Sequence, residues 1–273
     1  MKNMLKIEFS RAFKSIGFYL ALLIGGIIAA VHCALEVIPY AFQLDEYVAM
    51  NLPMMYPGWL YSSWIGGNVT MSSFLLFLIL PILASLPHGD TFFTDAKSGF
   101  IHNLCIRADK KHYYIAKYIS AFLSGGIAVI FPLVLNFYLS SLFLPAMKPE
   151  VSSFNTLLGE NSSFPHLYFS YPFLYVILFL GIIFIFSGLF STVSLLSSYY
   201  VRYRFLVLVF PFIIYLFLVA FFNLLGFQNW QPTNFLHPAY QQDSAFAIII
   251  EIALLLIITV YGFIIKSAKE DIY

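Results

Sequence analysis

The sequence predicts an all-α integral membrane protein with six transmembrane helices, an N-terminal amphipathic interfacial helix and both termini in the cytoplasm. Two observations predict this class. Hydrophobic residues make up 61% of the 273 residues and charged residues only 10%, whereas a soluble domain carries about 25% charged residues. Apolar runs of transmembrane length recur along the chain, which excludes a soluble globular protein and a disordered one. The whole chain, residues 1–273, forms one transmembrane domain.

The first fifteen residues predict the interfacial helix. Apolar side chains recur at helical spacing at Leu5, Phe9 and Phe13, whereas the lysines fall on the other side. A helix with this pattern lies in the headgroup layer, with its apolar face toward the acyl chains. The alternative is a cytoplasmic extension of the first transmembrane helix.

Six apolar spans follow, each near or above the length needed to cross about 30 Å of hydrocarbon. They are Ile16 to Leu35, Val69 to Leu86, Tyr118 to Leu144, Phe173 to Ser197, Phe205 to Phe227, and Ala245 to Ile265. Glu251 is the only Asp, Glu, Lys or Arg inside a span. Exclusion of charge this consistent indicates helices, because an alternating strand would admit a polar residue at every second position.

The lysines and arginines predict the orientation. All of them except Lys148 fall in the N-terminal segment, between the second and third spans, between the fourth and fifth, or after the sixth. The positive-inside rule therefore places both termini in the cytoplasm of a multi-pass cell-membrane protein. The outer segments, residues 36–68 and 145–172, are expected to form short interfacial or re-entrant helices. Trp59, Trp64 and Trp230 lie in outer segments, as expected of rings at an interface.

The cytoplasmic segment of residues 87–117 is the most informative polar stretch. It is too long for a simple turn between antiparallel helices, and it mixes acids, bases and aromatic residues. Such a composition suits a short helix exposed to a soluble partner. Asp90 or Thr91 is placed to cap this helix, and Gly99 to end or bend it.

A resemblance to a known family rests on this segment. A span ending in small and proline residues is followed by an acid, a glycine four positions on, an arginine, a tyrosine pair and a lysine that opens the next span. The matching positions are Asp95, Gly99, Arg107, Tyr113 with Tyr114, and Lys117. With the predicted topology and the segment Asn234 to Pro238, this pattern resembles the membrane subunits of type 2 ATP-binding-cassette (ABC) transporters. The family usually has Glu where this chain has Asp95.

The resemblance implies a permease subunit that exports a hydrophobic or amphipathic substrate, such as a peptide or a drug-like or lipid-like molecule. Its partners would be a cytoplasmic ABC ATPase subunit and a second permease copy or a homologous permease. Asp95, Gly99, Arg107 and Lys117 are the candidate ATPase-coupling residues. The sequence contains no Walker A motif, so ATP and Mg²⁺ would bind the partner subunit, and this chain is expected to be neither an enzyme nor a cofactor protein. The alternative is that these basic residues only anchor the topology.

Polar residues inside the spans form a second group of candidates. Because a carboxylate in hydrocarbon is costly, Glu251 is expected to face protein or water, with His32 and Asn223 as hydrogen-bond partners. This group would line a translocation path or form a buried polar cluster. Ser187 and Ser191 belong to a hydroxyl stripe on the fourth span, a pattern more typical of close helix packing than of substrate binding.

Two other classes of function stay open. The first is a membrane scaffold or immunity-type protein without transport of its own, and the second is a membrane-embedded enzyme. The near balance of 14 basic and 13 acidic residues gives no indication of nucleic-acid binding. Membrane lipids are the expected surroundings. No metal site is expected, because the spacing of His102, Cys105 and His112 matches no familiar zinc motif.

Overall fold

Helices occupy the predicted spans in the computed structural model, which describes residues 1–50, 59–101, 110–149, 162–240 and 245–265. Every regular element within these ranges is a helix. Five helices there are long and apolar enough to cross a bilayer, namely Ile16–Gln43, Lys110–Phe143, Pro172–Ser197, Arg204–Leu224 and Ala245–Ile264. The predicted all-helical class is therefore confirmed, with five candidate membrane-spanning helices among the described residues.

We number the α-helices in chain order. They are α1 (Lys2–Phe13), α2 (Ile16–His32), α3 (Ile38–Ala49), α4 (Leu60–Ser63), α5 (Met71–Ser85), α6 (Thr91–Lys97), α7 (Lys110–Phe143), α8 (Pro165–Ser170), α9 (Pro172–Ser197), α10 (Arg204–Leu224), α11 (Pro232–Phe235) and α12 (Ala245–Thr259). A π-helical turn at Cys33–Val37 joins α2 to α3, and another at Val260–Ile265 continues α12. The first span therefore runs past its predicted end at Leu35.

The second predicted span is a shorter helix than the sequence suggests. Helix α5 has 15 residues, fewer than the roughly 20 needed to cross the hydrocarbon core without adjustment. It begins after Thr70, whose side chain accepts a hydrogen bond from the Ser73 N–H. It ends at Ser85, whose hydroxyl lies 2.7 Å from the Leu208 carbonyl oxygen at the beginning of α10.

The N-terminal helix is present as α1, but it buries a residue that the apolar pattern does not predict. Glu8 is 1% exposed, and Ala12 is fully buried beside it. Helix α1 ends at Phe13, and the Ser15 hydroxyl caps α2 by accepting a hydrogen bond from the Phe18 N–H. The same hydroxyl lies 2.8 Å from the Pro87 carbonyl oxygen, which fastens the α1–α2 corner to the chain after α5.

Helix α9 forms the centre of the bundle and packs against α5, α7, α10 and α12. Small residues allow this packing, because a Cβ atom on Gly125 of α7 would lie 2.5 Å from the Cβ of Ser191. A glycine also allows close packing of the first span. A Cβ atom on Gly25 would lie 2.7 Å from the Pro132 side chain, so the absence of a side chain at Gly25 lets α2 approach α7 closely.

Two of the expected interfacial tryptophans are packed inside the bundle. Trp59 and Trp64 are 3% and 1% exposed, and the Trp64 ring meets Phe137 edge to face, with ring centroids 5.6 Å apart. These two rings therefore pack against protein side chains and do not face outward. The chain around α4 folds back into the bundle, because the Ile65 N–H donates a hydrogen bond to the Asn136 side chain on α7.

The helices are packed unevenly. In the most apolar stretch of 18 residues of each span, 56% of the stretch is buried for α7 and for α9. The buried share is only 17% for α10 and 33% for the span that begins with α12. Helices α10 and α12 therefore expose most of their apolar side chains to whatever surrounds the bundle. Their exposed faces suit lipid or another membrane-embedded chain.

Candidate functional site

Charged side chains are buried at the end of the bundle where α1, α6 and the beginning of α7 meet. We call this group the ionic cluster. Its members are Glu8, Arg11, His88, Asp95, Tyr113 and Lys117. All except Arg11, whose side chain is 34% exposed, are nearly or fully inaccessible to solvent. A buried charge is tolerated only when it is paired and hydrogen-bonded, so this arrangement fixes the relative positions of the three helices.

Asp95 accepts hydrogen bonds from three residues. Arg11 contacts both carboxylate oxygens, with Nη2–Oδ1 and Nη1–Oδ2 distances of 2.6 and 3.0 Å. Lys117 Nζ donates to Oδ2 at 2.5 Å, and the Tyr113 hydroxyl donates to the same oxygen at 2.7 Å. Because Arg11 lies on α1 and Lys117 on α7, this one carboxylate joins both helices to α6.

Glu8 provides the second carboxylate. Its Oε1 accepts a hydrogen bond from Arg11 Nη1 at 2.9 Å, and its Oε2 lies 3.2 Å from Lys117 Nζ. His88 Nε2 lies 3.0 Å from the same Oε2. The turn that follows α5 is therefore attached to α1 through Glu8, just as α6 is attached through Asp95.

The protonation states follow from these contacts. Burial raises the pKa of the Glu8 carboxyl, but the hydrogen bond from His88 and the charge of Lys117 outweigh it and lower the pKa to about 2. Burial also raises the pKa of Asp95, and the contacts with Arg11 and Lys117 lower it overall. Burial lowers the pKa of His88, so the ring is neutral and donates its Nε2–H to Glu8. The Glu8 and Asp95 carboxylates thus face the side-chain nitrogens of Arg11 and Lys117.

Further contacts connect α6 to the beginning of α10 and to the residues just before it. Asp90, the residue before α6, forms an ion pair with Arg204, the first residue of α10. Lys97, at the end of α6, donates to the Arg202 carbonyl oxygen at 3.1 Å and lies 4.5 Å from the centroid of the Phe93 ring. The segments that carry most of the cations thus lie together at one end of the bundle.

The four candidate coupling residues have different surroundings. Asp95 and Lys117 are brought together, and both face the interior of the bundle, so they position α6 instead of contacting a soluble partner directly. Gly99 is exposed, and its φ of +71° falls in the left-handed region that glycine adopts without strain. Arg107 lies outside the described residues, as do His102 and Cys105.

The sequence did not identify Glu8, Arg11 and His88 as site residues. Contacts between residues 8 and 88, or 11 and 95, depend on the tertiary fold, which periodicity does not reveal. One signal was available. Glu8 is the only acid in the first 35 residues, and a lone acid among basic residues on a helix indicates an ion pair.

The expected polar group around Glu251 is not formed. No hydrogen-bond partner for either Glu251 carboxylate oxygen occurs within the described ranges, and Asn223 is exposed. His32 instead accepts a hydrogen bond from Asn136 Nδ2 at its Nδ1, at 3.0 Å, and its Nε2 lies 3.1 Å from Asn68 Oδ1. The prediction that Glu251 pairs with His32 or Asn223 is therefore wrong, because each side chain faces a different part of the bundle.

Ser187 and Ser191 are fully buried on α9. Neither hydroxyl has a hydrogen-bond partner among the residues that the structure describes. The close approach of Ser191 to Gly125 is consistent with the packing role predicted for the stripe.

At the opposite end of the bundle, His237 attaches the segment before α12 to α5. Its Nε2 lies 2.6 Å from the Ser73 hydroxyl oxygen, and that hydroxyl lies 2.5 Å from the Ile65 carbonyl oxygen. Its Nδ1 accepts a hydrogen bond from the Ala239 N–H. The Asn-x-x-His-Pro segment of the sequence is therefore a structural turn, held by its histidine.

Comparisons of the chain with protein-family models, with curated protein sequences and with solved structures gave no match. Its function is therefore inferred from its own residues and geometry.

Proposed function

We propose that this chain is the membrane subunit of a type 2 ABC transporter in the cell membrane. It would export a hydrophobic or amphipathic substrate, using ATP hydrolysed on a separate nucleotide-binding subunit, and it would pair with a second copy or a homologous permease. The ionic cluster is the observation that carries the proposal. It links α6, which lies in the segment that resembles the coupling element, to both α1 and α7 through buried charges.

The end of α6 and the three residues that follow it support a role in docking. Phe92, Phe93 and Asp95 face the bundle, whereas residues 96–100 are exposed and end in Phe100, which is 40% exposed. An exposed aromatic residue beside polar groups is typical of a protein–protein contact. A partner that moved these residues would also move α1 and α7, because the buried ion pairs resist separation.

The proposal includes six crossings, with α5 as the second, and both termini in the cytoplasm. Two contacts support a crossing by α5 despite its length. Ser73 near its beginning contacts His237 at one end of the bundle, and Ser85 at its end contacts Leu208 near the opposite end. A short hydrophobic helix is accommodated by local thinning of the bilayer at modest cost. Helix α1 would then lie in the cytoplasmic headgroup layer.

Purification from native membranes tests the proposal. The tagged chain should bring down a protein with a Walker A motif, and the purified complex should hydrolyse ATP. Arg107→Glu and replacement of residues 96–100 by a Gly/Ser linker should abolish turnover without preventing insertion. Lys148→Glu is the matched charge reversal, because Lys148 is exposed beyond the opposite end of α7, and it should leave turnover unchanged.

A scaffold or immunity-type protein without transport is the alternative, and the same experiment separates the two. Association and turnover that survive both changes in the loop would show that residues 87–117 have no coupling role. In that case the ionic cluster would serve only to brace the bundle.

A further inference from the structure

A groove of about 290 Å³ lies between α9, α10 and α12. Its wall is apolar along most of its length. The lining side chains include Val193 and Leu196 of α9, Phe210 and Ile214 of α10, and Leu254 and Ile258 of α12. The volume is near the lower end of the range of roughly 300–1,000 Å³ that is typical of small-molecule sites.

The groove is open to the surroundings of the bundle. Leu254 and Ile258 line it and are nevertheless 53% and 54% exposed. Both α10 and α12 belong to the candidate membrane-spanning helices. A molecule dissolved in the bilayer could therefore reach the groove laterally, between these two helices.

Glu251 is the acid in this wall, and its carboxylate is unpaired among the described residues. The residue is 5% exposed, and neither carboxylate oxygen has a hydrogen-bond partner within the part of the chain that the structure describes. A carboxyl group in a low-dielectric site is costly unless it is paired with a cation or hydrogen-bonded. The carboxylate oxygens have almost no accessible surface, so the unpaired acid lies directly beneath the apolar wall, and a ligand reaches it by displacing the side chains that cover it.

We propose that the groove binds a lipophilic amine. Its ammonium would donate hydrogen bonds to the Glu251 carboxylate, and its hydrocarbon part would lie along α9 and α10. Charge complementarity selects this occupant. A neutral lipid chain would leave the carboxylate unpaired, and a fatty acid would be repelled by it. The inference is independent of transport, since it concerns binding by this chain alone.

Decylamine and decanol are suitable probes, because they share an alkyl chain and differ in charge. The full chain is placed in phosphatidylcholine nanodiscs that hold one copy each. It is then treated with a hydrophobic diazoalkane, which esterifies buried carboxyl groups directly with loss of N₂ and leaves no activated ester for an amine to attack, and the Glu251 peptide is quantified by mass spectrometry. Decylamine should slow modification of Glu251 by about tenfold or more, and decanol by less than about twofold.

Two variants test the charge of Glu251 and the space in the groove separately. Glu251→Gln should weaken binding of radiolabelled decylamine by about tenfold or more, since it removes the charge but keeps the shape. Ile214→Trp should fill the groove from the weakly packed helix α10, and decylamine should then no longer protect Glu251.

Three results would overturn the inference. Equal protection by decylamine and decanol would mean that the groove accepts any alkyl chain. Protection that persists in Ile214→Trp would place the amine elsewhere. If Glu251 were modified in nanodiscs with one copy but not in those with two, a second copy of the chain would be the occupant instead.

Discussion

Lys117 donates a hydrogen bond to Asp95 across 2.5 Å while both side chains are hidden from solvent. The two residues are separated by 22 positions, and they join the short helix α6 to the beginning of the longest helix of the described chain. Because Glu8 and Arg11 of α1 contact the same pair, four charges depend on one another.

We expect Lys117→Met to lower the free energy of unfolding by about 3–5 kcal/mol, because it leaves Asp95 and Glu8 with one buried cation fewer. Lys97→Met is the matched control. Its ammonium makes an exposed contact with a backbone carbonyl oxygen, and such contacts contribute less than about 1 kcal/mol. Denaturant unfolding in detergent measures both changes. Equal losses in the two variants would contradict the importance assigned to the cluster.

His237 should make the stability of the fold depend on pH. Burial lowers the pKa of this histidine from 6.5 to about 3. Between pH 6.5 and about 3, His237 is therefore protonated in the unfolded chain but neutral in the folded protein. The free energy of unfolding falls as the pH falls through this range. Between pH 6.5 and about pH 5 the loss from this residue is about 2 kcal/mol.

His237→Gln isolates this contribution, because glutamine does not titrate. His88 shifts in the same direction, so the variant should keep a shallower dependence on pH and not lose it altogether. Unfolding measured over a pH series gives the two slopes. Parallel curves would show that His237 is protonated equally in the folded and unfolded states.

Replacing Asn136 by alanine should lower the stability of the protein more than replacing Asn223 does. It accepts a hydrogen bond from the Ile65 N–H at 2.8 Å and donates to His32 Nδ1 at 3.0 Å. Asn136→Ala leaves buried polar groups unpaired and should cost about 2–4 kcal/mol. Asn223→Ala removes an exposed amide on α10 and should change stability by less than about 0.5 kcal/mol. Thermal unfolding in detergent compares them, and a smaller loss at 136 than at 223 would contradict the assignment.

The close contact of α7 with α9 predicts opposite effects at two helical glycines. A Cβ atom on Gly125 would lie 2.5 Å from Ser191 and 2.7 Å from the Ala84 carbonyl oxygen. Gly125→Ala should therefore destabilise the protein by about 1–3 kcal/mol. Around Gly181 of α9 there is no atom within 4 Å of such a Cβ among the described residues, so Gly181→Ala should stabilise it by up to about 1 kcal/mol. Melting temperatures of both variants and of the unchanged protein, measured in the same detergent, show whether each substitution raises or lowers stability.

The sequence predicted the features that depend on local composition. The apolar runs placed Pro172–Ser197, Arg204–Leu224 and Ala245–Ile264 to within three residues, because a run without charge has no other stable conformation in lipid. The first span ends eight residues past Leu35, and α7 begins eight residues before Tyr118, because a helix continues into polar flanking residues that hydropathy excludes.

The sequence overestimated the length of α5, because hydropathy does not detect the caps at its ends. Thr70 caps the beginning of the helix, and the Ser85 hydroxyl contacts the Leu208 carbonyl oxygen at its end. The sequence did not predict the burial of Trp64, because composition does not distinguish an exposed ring from a buried one.

The candidate site was only partly predictable. Asp95 and Lys117 lie in one polar segment, so their selection needed only the local pattern. Their attachment to Glu8 depends on the path of the chain between α1 and α6, which one sequence does not reveal. The pairing of His32 with Glu251 failed for a similar reason, because two residues at one depth can face different helices.

Ser15 stands at the elbow between α1 and α2, and its hydroxyl is shared between the carbonyl oxygens of Ala12 and Pro87. If α1 changed its angle to α2, the hydrogen bond from Ser15 to Pro87 would break, or the chain after α5 would move with α1. Together with the contact between Glu8 and His88, this hydrogen bond connects the N-terminal arm to the turn before α6, so one of these segments shifts alone only if these hydrogen bonds break.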